Sequence, residues 1–121
     1  MSVNSKEKRI RICHNLDKIL LDSLGDLSQQ LDYPQSRMID EGIRYVLKKR
    51  TLPEKKKVVR TTVNLTVNYH LWTQLKGYSD LSKFKLVYLL ESALRYCVKR
   101  YSKKLKDDLV IFSQQPSQPT E

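Results

Sequence analysis

Arg, Asn and Thr side chains recur at every second position in two segments of this sequence. In an extended strand every second residue points to the same face, so each segment would present its polar set on one side. An Arg side chain can bind guanine O6 and N7 in a fork, Asn can pair with adenine, and Thr can contact a thymine methyl. The spacing therefore favours readout of base edges by a two-stranded ribbon. The predicted readout residues are Arg9, Arg11, Cys13 and Asn15 in the first segment and Arg60, Thr62, Asn64 and Thr66 in the second.

The two segments belong to a longer repeat with a constant offset of 51 residues. Leu20 matches Leu71, and the run from Gly42 to Lys48 matches the run from Ala93 to Lys99. Each copy spans only about 45 residues, which is too few to bury a sufficient core alone. The two copies should therefore complete each other within one domain.

Each copy predicts a strand followed by two helices, because a period of two gives way to apolar residues at helical spacing. We expect Asp17 and Asn68 to cap the first helix of each copy. Gly77 and the run Ser79-Asp80-Leu81-Ser82 are expected to end that helix in the second copy. Pro34 suits the start of the next helix, and Ser82 is expected to cap the matching one. The inner strand faces are predicted to be Ile10, Ile12, His14 and Leu16, and Val59, Val63, Leu65 and Val67.

The net charge of +10 is unevenly distributed, because residues 107–121 carry −3 and residues 1–106 therefore carry +13. A body this basic favours a polyanionic partner, namely DNA, RNA or an anionic membrane surface. The alternatives are a basic surface that has no specific partner and an exposed strand in which polar and apolar residues alternate without any function. Two matched strands on a basic body favour DNA over both.

Other classes of function find little support in the sequence. The two Cys and two His residues lack the paired spacing of a metal site, so we expect no metal and no cofactor. No phosphate-binding glycine loop or paired nucleophile and base suggests an enzyme. No membrane-length apolar run and no leader-like start are present, which predicts a cytoplasmic, nucleoid-associated protein that has no membrane partner.

The order of strand, capped helix, loop and helix resembles the ribbon-helix-helix family of Arc, MetJ and CopG. The resemblance covers about residues 8–50 and 58–100, as in the tandem version found in TraY. It implies a mainly α fold with a two-stranded antiparallel ribbon, in which two tandem units form one pseudo-dimeric domain. It also implies that the N-terminus of the second helix in each unit holds a DNA phosphate. By alignment the phosphate-binding residues are Gln35 and Ser36 in the first unit and Lys83 and Lys85 in the second.

The predicted domain organisation places the first unit at residues 1–50, a charged linker at 51–57 and the second unit at 58–105. An acidic, largely disordered tail is expected at 106–121, with Leu109–Phe112 as an apolar segment that could dock a protein partner by strand addition or groove burial.

The resemblance implies a sequence-specific double-stranded DNA-binding protein, most simply a transcriptional repressor, with possible self-association on repeated sites. The alternatives are an accessory protein of a plasmid relaxosome or partition system, and an antitoxin whose C-terminal tail binds a toxin. RNA binding is weaker, because no surface aromatic pair for base stacking stands out.

Overall fold

The computed structural model of the protein describes residues 8–50 and 52–114, with side chains described as far as residue 110. These residues form a two-stranded antiparallel sheet and four helices, as the alternating and helical patterns predict. The elements are β1 (Arg9–Asp17), α1 (Lys18–Leu31), α2 (Gln35–Lys49), β2 (Arg60–Asn68), α3 (Tyr69–Ser82) and α4 (Leu86–Gln114).

The register of the ribbon follows the repeat. Cys13 lies opposite Asn64, its own equivalent 51 residues later, and the ends pair Arg9 with Asn68 and Asp17 with Arg60. The inner face carries the apolar half of each strand, with Ile12, Leu16, Leu65 and Val67 buried. Val59 is an exception, because it precedes β2 and is exposed, so its predicted inward position is wrong. The backbone at Val59 is still ordered by the ribbon, since the carbonyl accepts a bond from the Lys18 N–H at 2.9 Å.

Two of the three predicted helix caps are present. The Asp17 carboxylate accepts from the Ile19 and Leu20 N–H groups, and the Asn68 side chain accepts from Leu71 N–H at 3.0 Å. Helix α3 continues through Gly77 and ends at Ser82, the last residue of the run that was expected to end it. Ser82 therefore does not cap α4. Its hydroxyl donates to the Tyr78 carbonyl and accepts from Phe84 N–H, which stabilises the end of α3 instead.

The core lies between the ribbon and the four helices. Helix α2 packs against α4, α1 packs against α4, and α3 packs against α2, so the two halves of the chain are interlocked. A Cβ atom on Gly42 would lie 2.5 Å from the Ala93 carbonyl oxygen, which shows how closely α2 and α4 cross. The rings of Tyr45 and Tyr96, also 51 residues apart, stack with centroids 4.0 Å from each other.

Helix α4 extends further than the sequence predicts. It runs to Gln114, so the expected disorder of the tail is wrong for residues 106–114, while residues 115–121 lie outside the described residues. Leu109 and Val110 are helical and exposed, which excludes the predicted strand addition for this stretch. The side chains of Ile111 and Phe112 lie outside the described residues. Within the described part of the chain, no helix is long and apolar enough to cross a bilayer.

Candidate nucleic-acid interface

Polar side chains from both strands share the outer face of the ribbon. Arg11 lies opposite Thr66, Cys13 opposite Asn64, and Asn15 opposite Thr62. All of these residues are exposed, and the Thr62 hydroxyl donates to Asn15 Oδ1. The face therefore presents donors and acceptors in opposed cross-strand pairs on one side of a ribbon whose other side is buried. We call these six residues the outer row.

Arg9 and Arg60 do not extend the outer row as their alternation suggests. Arg9 Nη1 donates to Asp40 Oδ2 at 2.9 Å, and Arg9 Nη2 donates to the Thr66 carbonyl at 3.2 Å. Arg60 forms a fork on Glu91, with Nε and Nη2 each 2.8 Å from a carboxylate oxygen. The hydrogen bond to Glu91 raises the pKa of Arg60. Carboxylates on α2 and α4 thus hold both guanidinium groups at the ends of the ribbon.

Asp40 and Glu91 also bind the backbone of the ribbon, and sequence reasoning missed both. Asp40 Oδ1 accepts from Asn68 N–H at 3.0 Å, and Glu91 Oε2 accepts from Asp17 N–H at 2.9 Å. Both residues are buried, so the cost of removing each carboxylate from water must be offset by these bonds. The signal was available in the sequence: two acidic residues interrupt apolar helical runs at matched positions 51 residues apart.

The helix starts expected to bind phosphate differ between the two halves. Helix α2 follows Pro34, and no side chain among the described residues caps it. The N–H groups of Gln35 and Ser36 at the start of the helix therefore have no competing side-chain acceptor. Such a start favours an anion through its amides and the helix dipole. Lys85 immediately precedes α4, at the position that matches Pro34. Lys83 instead terminates α3 in a left-handed conformation with φ 67°. Both lysines are exposed.

Two further titratable residues, His14 and Cys97, are packed against or within the core. His14 is half-buried on the inner face, with its ring edge-on to Trp72 at 5.5 Å between centroids, and burial lowers the pKa of His14. Cys97 donates its S–H to the Met38 carbonyl, and burial raises its pKa to about 12. Across the described residues, no group of His, Cys, Asp or Glu is arranged to hold a metal ion.

Comparison with known proteins finds a family match in the first half of the chain. Residues 8–49, which comprise β1, α1 and α2, match the family model described as a ribbon-helix-helix domain. No curated protein and no solved structure matches the chain. Ribbon-helix-helix domains bind double-stranded DNA, often as dimers, and usually regulate transcription without enzymatic activity. Residues 8–49 of this chain are therefore similar to a ribbon-helix-helix domain, and this similarity indicates DNA binding.

Proposed function

We propose that the protein represses transcription by inserting the β1–β2 ribbon into the major groove of a promoter and reading its sequence. The observation that carries this proposal is the outer row, in which exposed hydrogen-bonding side chains from both strands lie on one face. A two-stranded ribbon fits the major groove of B-DNA, where each base pair offers a distinct pattern of donors and acceptors. Arg11 suits guanine and Asn64 suits adenine, whereas the thiol of Cys13 can contribute little hydrogen bonding.

We infer that Arg9 and Arg60 support this readout by positioning the ribbon. Their ion pairs with the buried Asp40 and Glu91 tie each strand end to a helix. An Arg fork on a carboxylate is geometrically restrictive, so it fixes the direction in which the outer row points. Direct contact with bases would require these side chains to leave buried carboxylates unpaired, which is unfavourable.

The second half of the chain supplies the partner that a ribbon-helix-helix domain needs. The proposal is that residues 58–105 form a second such unit, so that one chain folds as a pseudo-dimer. Matched contacts support it, because the ion pair from Arg9 to Asp40 recurs 51 residues later from Arg60 to Glu91. The bonds from the Ser28 hydroxyl to the Tyr33 carbonyl and from Ser79 to Phe84 repeat in the same way.

Phosphate groups on either side of the groove would bind at the helix starts. Gln35 and Ser36 would offer backbone N–H groups, and Lys85 would offer a charge beside the start of α4. Lys83 would act as a more distant cation, because it belongs to the end of α3. Such contacts position a protein without specifying sequence.

Selection of bound duplexes from a random pool, followed by footprinting and salt titration, tests the proposal. We expect one enriched motif and an affinity that falls steeply with salt, because each neutralised phosphate releases counterions. Lys85→Ala should weaken binding to all duplexes similarly, whereas Arg11→Ala should weaken binding to the selected motif more than to others. No enriched motif, or an affinity indifferent to salt, would contradict DNA readout.

A reporter gene placed behind the selected motif separates repression from the alternatives. A repressor should lower expression from that promoter, and Arg11→Ala should restore it. The alternatives would use the same ribbon. A relaxosome or partition accessory would bind its motif without lowering expression of the reporter. An antitoxin would co-purify with a second protein.

A further inference from the structure

An apolar groove lies where α2 ends against α3, away from the outer row. Its cavity volume is about 490 Å³, and Leu47, Leu71, Tyr78 and Leu81 provide its apolar lining. Leu81 is 85 % exposed, and its match in the first half of the chain is the polar Gln30. An exposed apolar side chain that extends an apolar groove with a polar rim is a feature of interaction surfaces.

The matching surface in the other half of the molecule is covered by a helix of the same chain. Tyr101 of α4 is only 4 % exposed and stacks on Tyr33 at 5.7 Å between centroids, and Leu105 packs against the core one turn later. Arg50 occupies the position that matches Tyr101, but there α2 has ended and Arg50 adopts a left-handed conformation with φ 52°. The groove therefore lies where α2 ends. In the other half of the molecule α4 continues past the matching position and covers the equivalent surface.

The exposed end of α4 has the chemistry to fill this groove. Leu109 is 57 % exposed and follows directly after Asp107 and Asp108. The two carboxylates pair with Lys103 at 3.3 Å and Lys104 at 3.9 Å. These are solvent-exposed pairs one helical turn apart, and pairs of this kind contribute little, so a second cation can compete for each carboxylate.

The rim of the groove is basic, and this matches the acidic end of α4. Arg44, Lys48 and Arg50 line the groove, and among the residues that the structure describes none of its lining residues is acidic. Arg50 lies over the Tyr78 ring at 5.0 Å, which holds one cation at the edge of the apolar floor. We propose that this groove binds the α4 end of a second copy of the chain, with Leu109 on the apolar floor and Asp107 and Asp108 against the rim.

This contact joins two different surfaces, so it is heterologous and either closes into a ring of copies or propagates into an open chain. It is independent of DNA, since neither surface includes the outer row or the starts of α2 and α4. On duplexes that carry neighbouring sites, the same contact would make loading cooperative.

Sedimentation equilibrium of the full chain without DNA tests the contact. The average mass should rise with concentration above that of one chain. Leu81→Ser should raise the dissociation constant roughly tenfold or more, because it removes a leucine that becomes buried. Ile19→Ser is the matched control, since Ile19 is 74 % exposed and lies outside the groove, and it should leave association unchanged. A chain that stays monomeric at every concentration, or equal effects of the two variants, would overturn the proposal.

Charge reversal identifies the pairing directly. The variant Asp107→Lys with Asp108→Lys, and the variant Arg44→Glu with Lys48→Glu, should each lose association. An equimolar mixture should recover it, because each reversed surface then meets its complement. Far-UV circular dichroism reports whether α4 stays helical in the first variant. Failure of the mixture to associate while both variants remain folded would also overturn the proposal.

Discussion

Cys13 and Asn64 face each other at the centre of the ribbon, and each is the equivalent of the other in the 51-residue repeat. The axis that relates the two strands therefore passes between a thiol and an amide. A dimer of identical chains would place the same residue twice at this point and would read a palindrome. Here the two sides of the axis differ in chemistry at every pair of matched outer positions.

We predict that the selected DNA motif is not palindromic. Asn64→Ala should cost about 1–3 kcal/mol in binding and relax preference at one base position, since a bidentate amide contact is lost. Measuring affinity for each single-base variant of the motif checks this. Gln29→Ala on the exposed surface of α1 is the control and should change nothing. A perfect palindrome, or an equal loss on all duplexes, would count against the prediction.

The two cysteines should differ in reactivity, and the difference reports on the ribbon. Cys13 is exposed, whereas Cys97 is buried with a pKa raised to about 12, so its thiol does not ionise at neutral pH. Maleimide should label Cys13 alone in the folded protein and both thiols in denaturant. Duplex carrying the selected motif should slow labelling of Cys13, as followed by mass spectrometry. Unchanged labelling at saturating duplex would mean that DNA does not cover the ribbon.

Glu91→Gln should destabilise the fold by about 1–3 kcal/mol, because the charged bond to Arg60 is lost inside the protein. Urea unfolding measures this change. Glu54→Gln is the matched control and should have little effect, since the exposed Glu54 carboxylate forms only solvent-accessible pairs with Lys56 at 3.2 Å and Arg95 at 3.8 Å.

Substitution of Arg60, the other residue of this ion pair, distinguishes a positioning role from base readout. If Arg60 positions the ribbon, Arg60→Met should be less stable in the same urea unfolding measurement but should select the same bases. A changed base preference with unchanged stability would instead indicate that Arg60 reads bases directly.

The ribbon, its antiparallel pairing and the first two helix caps were predictable from sequence because they follow from local rules. Alternation places Arg11 and Ile12 on opposite faces, and Asp17 and Asn68 have side chains suited to capping. The same alternation places Arg9 and Arg60 on the outer face, but it does not identify the partner that a long side chain reaches. Their partners, Asp40 and Glu91, lie 31 residues away.

The effect of Gly77 on α3 and the end of α4 were mispredicted for a different reason. Gly77 was expected to contribute to the end of α3, but a glycine inside a helix costs only about 1 kcal/mol, and packing of Tyr78 in the core offsets it. The sequence Leu109–Phe112 favours a strand by propensity alone. In the chain it lies within the long helix α4, just after paired Lys and Asp residues at i and i+4. Such pairs support continuation of the helix.

Gly42→Ala should destabilise the protein by about 1–3 kcal/mol, because the added methyl would lie 2.5 Å from a backbone oxygen and 2.7 Å from Cys97 Sγ and would force α2 and α4 apart. Gly77→Ala is the matched control. Among the described residues nothing lies within 4 Å of the position that its added methyl would take, so the change should stabilise α3 by up to about 1 kcal/mol. Thermal unfolding of both variants distinguishes close helix crossing from a general glycine effect.

His14 should make stability depend on pH below neutrality. Burial lowers its folded pKa from the ordinary value of 6.5, so the unfolded chain binds a proton more readily and stability rises with pH in this window. The stability contribution should be fully present above about pH 6.5 and should be lost as the pH drops through the lowered folded pKa. The loss should be modest, because the ring is partly exposed and solvent screens it. His14→Leu introduces the residue that the second copy carries at Leu65, and it should remove this dependence in the range below about pH 6.5, the ordinary histidine pKa. Urea midpoints measured across that range for both proteins decide the matter, because a parallel decline in the two would assign the effect to other groups.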